Sequence, residues 1–441
     1  MSTLSGSKIS ADSPAGANRF SARRAAGRVG WGILKVVGGL IVALSTVPVI
    51  LLPLATAVPW YGWLALGLAD AGLIFLLLTR AETLPYRLLI IAAIIAVSIL
   101  AVFMSQWFAT TPPIVDASGR SIPGSIAELE QVELNGSKQW VSIRGHDRTK
   151  PVLLFLAGGP GGSQLAATRK QLGDLEKHFV VVNWEQPGAG KSYHAVDLAG
   201  LTPERYIADG HALTLYLRQR FNQDKIYILG ESWGTVLGIW LVQRSPDMYH
   251  AFVGAAQMVS FLETDSYCYN LALQTAFGKG DFKKVGTLMR QGPPPYYGDG
   301  VARKAAEYLL YLSQVMMSNP AITGPGYDTI GDIASPEYGL YDKVNYARGL
   351  IATMDVVYSQ LWEVDLRTQA PHLEVPIYLL EGRHDVNAPP ALAEDYLQKL
   401  EAPYKQLIWF EHSGHSPWVD EAGKVVDVMV NTVLAGTNRM D

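Results

Sequence analysis

The sequence predicts an α/β chain: a doubly wound, mostly parallel sheet with an inserted helical cap, preceded by three transmembrane helices. Three observations predict it. Ahead of residue 109 lie three apolar segments, each as long as the roughly 20 residues a helix needs to cross the hydrocarbon core of a bilayer. After residue 124 short apolar runs alternate with stretches of helical spacing, the pattern of βα repeats. Between about Val259 and Leu373 that alternation lapses, for longer than a loop accounts for.

Taken in order, residues 1–30 form a basic leader with Arg19, Arg23, Arg24 and Arg28, and Lys35 follows it. Residues 31–108 hold the three apolar segments. Val36 to Val58 and Leu88 to Val115 carry no charge, and Trp60 to Thr79 carries only Asp70. A signal peptide is the rival for the first segment, since "LATA" resembles a cleavage site. Its apolar run exceeds the roughly 7–15 residues of such a region, and two more apolar segments follow. The loop after the second segment holds Arg80 and Arg87, while "AVPWYG" after the first is uncharged. Positive residues stay in the cytoplasm, so the N-terminus is inside and everything after residue 109 is outside. Trp31, Trp60, Tyr61, Trp63 and Trp107 fall near the expected interfaces, where amphipathic rings settle. Asp70 lies mid-segment. An ionisable group there is either a functional site or a hydrogen-bonded contact between helices.

Residues 109–124 read as a Pro/Ser/Gly linker. Beyond it, "IAELEQVELNG" and "KQWVSIRG" alternate like paired strands. Then come "PVLLFLAG", "FVVVNWEQ", "KIYILGES", "HAFVGAAQ", "PIYLLEGRHD" and "KQLIWFEH", apolar on both faces as buried parallel strands are. The sheet domain is read as 125–258 and 373–441, with a helical cap over 259–372.

Composition narrows the chemistry. A net charge of −4 offers no basic field for nucleic acid. The single cysteine, Cys268, excludes an intrachain disulfide framework and reads as a half-buried helix residue. The nine histidines lack ligand spacing such as H-x-x-x-H, so neither a metal nor another cofactor is expected.

In an open parallel sheet, ligands bind beyond the carboxyl ends of the strands. There the sequence has Gly230-Glu231-Ser232-Trp233-Gly234, a G-x-S-x-G turn that exposes a serine between a strand and a helix. A serine hydroxyl needs a base. Asp385 and then His415 follow at later strand ends, in the order Ser, Asp, His. His412 is closer to its strand and reads as structural, and His384 as a decoy. Acyl transfer also needs two N–H donors for the oxyanion. The amide after the nucleophile, Trp233, supplies one. The glycine-rich "AGGPGG" loop after an earlier strand supplies the other.

With these residues in place, the chain from about residue 125 to 441 resembles the prolyl iminopeptidase-like branch of the α/β-hydrolases. "GGPGG" at Gly158–Gly162 is similar to that family's His-Gly-Gly-Pro-Gly loop, with Ala157 where the histidine stands. "NWEQPGAGKS" at Asn183–Ser192 is similar to its Asp-Gln-Arg-Gly-x-Gly-x-Ser loop, with Pro187 in the arginine's place. "GESWG", "GRHD" and "SGHSPW" complete the match. The resemblance implies Ser232 as nucleophile, Asp385 and His415 as acid and base, and the Gly159 and Trp233 amides as oxyanion hole. It also implies acids near the cap for a substrate's free amine, with Glu231, Glu263, Glu363 and Asp365 as candidates. The expected activity is a membrane-anchored serine aminopeptidase acting on short peptides. An esterase or lipase with the same triad is the alternative. The anchor implies a cell-membrane location, and the disulfide-free outer domain points to a bacterial surface. The partners expected are the substrate and the bilayer.

Overall fold

The computed structural model describes residues 15–437; residues 1–14 of the basic leader lie outside the described residues. Three long helices come first: α1 (Ala15–Ala55), α2 (Trp60–Thr79) and α3 (Leu84–Trp107). Their stretches Lys35–Ala55, Trp60–Thr79 and Leu84–Trp107 are long and apolar enough to cross a membrane. Leu44, Leu54, Leu78 and Phe103 point outward, each more than two-thirds exposed. Helices that are apolar all round belong to a membrane or a large core.

The spans differ from the sequence reading at their ends. The first stops at Ala55 rather than Val58, ahead of Pro59, which disfavours helical geometry at the residue before it. The third begins at Leu84, not Leu88, and takes in Arg87, whose Nε donates to the Ala81 carbonyl at 2.7 Å. It ends at Trp107, not Val115, short of Pro112 and Pro113.

Contacts divide the chain into two units, the second made of Ala55–Ala57 and everything from Ser105 onward. That second unit holds one eight-stranded sheet. Its strands are β1 (Ile126–Leu134), β2 (Ser137–Gly145), β3 (Val152–Leu156), β4 (Val180–Trp184), β5 (Ile226–Glu231), β6 (Tyr249–Ala255), β7 (Ile377–Gly382) and β8 (Lys405–Phe410). Their order is β1-β2-β4-β3-β5-β6-β7-β8. β1 and β2 pair antiparallel, β2 joins β4 antiparallel, and β4 through β8 run parallel. The sheet is therefore mixed, and its central run is the buried parallel one.

β3 shows why these strands lack alternation in sequence. Leu154 and Leu156 join the core on one face, Leu153 and Phe155 the core on the other. Each buried side chain of this size contributes roughly 1.5–3 kcal/mol, and both faces of the strand collect it. The helices that cover the sheet follow in order: α4 (Leu165–Gln171), α5 (Pro203–Phe221) and α6 (Trp233–Arg244). Between β6 and β7 come α7 (Phe261–Gly278), α8 (Phe282–Gln291), α9 (Val301–Met317), α10 (Thr329–Ile333) and α11 (Leu340–Val357). α5 shows its signals plainly: Thr202 caps its N-terminus, Pro203 opens it, and left-handed Asn222 ends it.

The topology itself places the site. β4 and β5 lie on opposite sides of β3, so the chain leaves β3 in one direction and returns in the other. A crevice opens at the carboxyl ends of strands so connected. The residues there are Ala157-Gly158-Gly159 after β3 and Ser232 after β5.

Candidate active site

Ser232 stands between the end of β5 and the first residue of α6. Its backbone has φ 52° and ψ −118°. That conformation costs of order 1–3 kcal/mol for a residue with a Cβ, so the surroundings must hold it. They do so by close backbone packing. A Cβ on Gly234 would lie 2.1 Å from the Leu156 carbonyl oxygen, and one on Gly230 would lie 2.4 Å from that of Gly234. The Ser232 amide donates to the Ala255 carbonyl at 3.0 Å, which ties the turn to β6.

Asp385 follows β7 and is buried. Its Oδ1 accepts from the Asn387 amide at 2.7 Å and the Ala388 amide at 3.0 Å. Oδ2 is thereby left to accept from His415 Nδ1 at 2.8 Å. His415 comes from the loop after β8, which is pinned at three points. Ser413 Oγ donates to Glu421 at 2.7 Å, the Gly414 amide to Asp420 at 2.9 Å, and Ser416 Oγ to Glu231 at 3.2 Å. Burial works against the charged imidazole. The Asp385 carboxylate, its hydrogen bond, and Glu231 and Glu381 outweigh this and raise the pKa from 6.5 to about 9. Burial also pushes the Glu381 carboxyl well above its usual range. His412 turns away, is exposed, and has its Nδ1 3.3 Å from the Ala321 carbonyl.

Ser232, His415, Gly159 and Trp233 line one cavity of about 90 Å³, completed by Phe261, Leu309, Met354 and Tyr358 of the helical segment. Trp233 opens α6, where amides lack an intrahelical acceptor and are free to donate outward. Its indole is buried and donates to Gln186 at 3.0 Å, while Gln186 Nε2 donates to the Ala157 carbonyl at 3.2 Å. The "EQPGAG" loop therefore clamps both sides of this corner. Gly159 has φ 135°, and a Cβ there would lie 2.6 Å from the Gly162 amide nitrogen.

The structure does not bring the predicted amine-binding acids into this cavity together. Glu231 is buried behind it. Its Oε2 accepts from Gln164 at 2.9 Å, and its Oε1 from Tyr327 at 3.3 Å. Gln164 Oε1 in turn accepts from the Gly158 amide at 3.0 Å. Glu231 thus braces the glycine loop and the His415 loop at once. Glu263 is exposed on the first turn of α7 and pairs with Arg367. Asp365 pairs with the same arginine at 2.7 Å and accepts from its amide at 2.9 Å. Glu363 is exposed on the surface. Arg367 takes up both: Asp365 lies two residues from it along the chain, and Glu263 reaches it only through the fold.

The acid that sequence reasoning missed is Asp265 of α7. It is fully buried and accepts hydrogen bonds from Tyr308 and, at 2.6 Å, from Tyr358. Burial pushes its carboxyl up to about 6, with the two tyrosine hydrogen bonds opposing. Because the Tyr358 hydroxyl donates to Asp265, its oxygen is left as an acceptor, backed by a carboxylate, at the cavity wall. The signal in the sequence was the aromatic-rich "YSQLWEVD", read for its acids rather than its tyrosine. Cys268, on the same helix, is fully buried rather than half-buried, and its Sγ contacts the Val386 carbonyl at 3.2 Å. Burial raises its thiol well above the usual range, which suits packing rather than attack.

Residues 151–422 match the family described as alpha/beta hydrolase fold. A Bacillus subtilis (strain 168) protein named "Probable aminopeptidase YbaC" is 29% identical over 306 residues, spanning 67% of this chain and 93% of that protein. A Leptolyngbya boryana protein named "Probable proline iminopeptidase" is 35% identical over 103 residues, or 23% of this chain and 30% of that protein. Among solved structures, the proline iminopeptidase of Mycobacterium smegmatis aligns with a TM-score of 0.52 at 16% identity, covering 71% of this chain and 100% of that one. At that identity the likeness is one of fold.

Proposed function

This chain belongs to the α/β-hydrolase family, and from that premise we propose that it is a membrane-anchored serine aminopeptidase whose triad is Ser232, His415 and Asp385. The observation that carries the proposal is the shared cavity: nucleophile, base and two candidate oxyanion donors line the same 90 Å³. In the proposed reaction His415 takes the Ser232 proton as Oγ adds to the scissile carbonyl. The Gly159 and Trp233 amides hold the resulting oxyanion. The intermediate collapses, the amine leaves with the proton from His415, and the acyl group stays on Ser232. Water then attacks by the same route, releasing the acid and restoring the serine. Asp385 fixes the imidazole tautomer and steadies the imidazolium throughout.

The size of the cavity favours a single small residue over a lipid acyl chain. The similarity to proteins named as aminopeptidase and proline iminopeptidase supports the same side. On this reading Tyr358, backed by Asp265, receives the substrate's ammonium.

The test uses the full chain in detergent or nanodiscs, with prolyl and alanyl naphthylamides, their N-acetyl forms, and short acyl nitrophenyl esters. Free amines should exceed acetylated ones in kcat/KM by about tenfold or more, since an unpaired buried acceptor costs roughly 1–3 kcal/mol. Asp265→Asn should narrow that ratio and spare the esters. Equal cleavage of blocked and free substrates removes the amine site and leaves an esterase.

Topology belongs to the same proposal. Three helices long and apolar enough to span, after an arginine-rich leader, support a hydrolase unit outside the cytoplasm. Protease added to intact protoplasts should digest that unit. Protection until lysis would reverse the orientation.

A further inference from the structure

Asp70 lies midway along Trp60–Thr79, the second candidate span, and takes no part in the hydrolase chemistry. It is 3% exposed, and its Oδ1 has no hydrogen-bond partner. The Thr46 hydroxyl of α1 is buried beside the carboxyl, within reach of a hydrogen bond to it. Both side chains line a groove of about 490 Å³ between α1 and α2, within the range of small-molecule sites. Val49, Pro53, Trp63 and Ala71 make most of its remaining wall apolar.

The backbone adds a third acceptor. Pro53 lies inside α1 and has no amide hydrogen, so the Val49 carbonyl, four residues earlier, loses its helical donor. Within lipid, water cannot satisfy such groups. The groove therefore offers hydrogen-bond acceptors, one of them an acid, inside an otherwise apolar cleft. A second copy of the chain fits poorly. Self-pairing sets one concave face against another and one carboxyl against its twin.

We propose that this groove is an intramembrane binding site for a lipid-soluble amine, an amphiphile whose ammonium meets Asp70, Thr46 and the Val49 carbonyl while its chain lies along Trp63. The proposal rests on α1 and α2 crossing a bilayer. It does not depend on the hydrolase reading.

The probe is 12-bromododecylamine, whose bromine quenches nearby indoles, with 12-bromododecanol and 12-bromododecanoic acid beside it. The full chain in nanodiscs should show a saturable quenching component with the amine, absent in Trp63→Phe. Asp70→Leu should weaken it by about tenfold, and Asp70→Asn less, because the amide keeps an acceptor. The alcohol should bind more weakly, and the acid should show only unsaturable partitioning. Equal quenching by all three probes, or no change in Asp70→Leu, would mean ordinary lipid filling and overturn the site. A quenching component lost together with the monodisperse peak in Asp70→Asn would instead assign Asp70 to association of chains, and also overturn it. Alkaline carbonate extraction tests the spans separately: protein released from membranes would remove the premise rather than the chemistry.

Discussion

Ser232→Ala lowers kcat/KM by at least about 10⁴-fold, while the circular dichroism spectrum and melting temperature keep their wild-type values. In the proposed reaction the hydroxyl is the atom that attacks. It carries little packing, since Ser232 is only partly buried and the turn around it is fixed by Gly230, Gly234 and the amide bond to Ala255. Alanine bears the same strained φ, so the elbow survives. His415→Ala falls about as far, and the double variant little further, because residues that act as one unit are not additive. His412→Ala keeps most activity, its ring being turned toward Ala321. A Ser232→Ala protein that turns over near the wild-type rate would end the assignment. An inactive His412→Ala with an active His415→Ala would move the base.

Asp385→Asn costs about 10⁴-fold in kcat and leaves a second signature in the pH profile. In the proposed triad His415 must be neutral to accept the serine proton, and Asp385 holds its pKa up at about 9. Activity therefore rises with pH, roughly tenfold per unit below that value, and levels above it. Asparagine removes the nearest negative charge and the hydrogen bond that favours the imidazolium. Burial then dominates and the limb moves to lower pH. The fall in rate and the shift of the limb must appear together in a kcat/KM profile from pH 5 to 10. A limb that stays near 9 in the variant would mean that another group carries the titration. Glu231 is a second, weaker contributor, and its neutralisation shifts the same limb in the same direction by less.

Both variants concern residues that the sequence already marks, and the reason is local. β3, β5 and β7 are recognisable because a strand buried on both faces must be apolar at every position. The turn at Ser232 is recognisable because only glycine permits the contacts at positions 230 and 234. Their order along the chain follows from the fold's connectivity. The ends of the three long apolar helices differ by several residues from the sequence reading, since prolines act on the residues before them and apolar composition continues past Trp107.

The acids divide differently. Glu231 is visible as the residue before the nucleophile, but its partners Gln164, Tyr327 and Ser416 lie 67, 96 and 185 residues away along the chain. Asp265 meets Tyr308 and Tyr358 across separations of 43 and 93 residues. Glu263 meets Arg367 across 104. The sequence alone determined the three apolar spans, the parallel strands, and which serine, aspartate and histidine stand at strand ends, because burial, periodicity and backbone sterics act between neighbours. Only the tertiary structure decided that Glu263 is spent on an ion pair, that Asp265 backs the cavity wall, and that Asp70 and Glu381 each keep an oxygen unpaired. A charge takes the partner that folding brings within hydrogen-bond distance, and that distance is set by elements far apart in the chain.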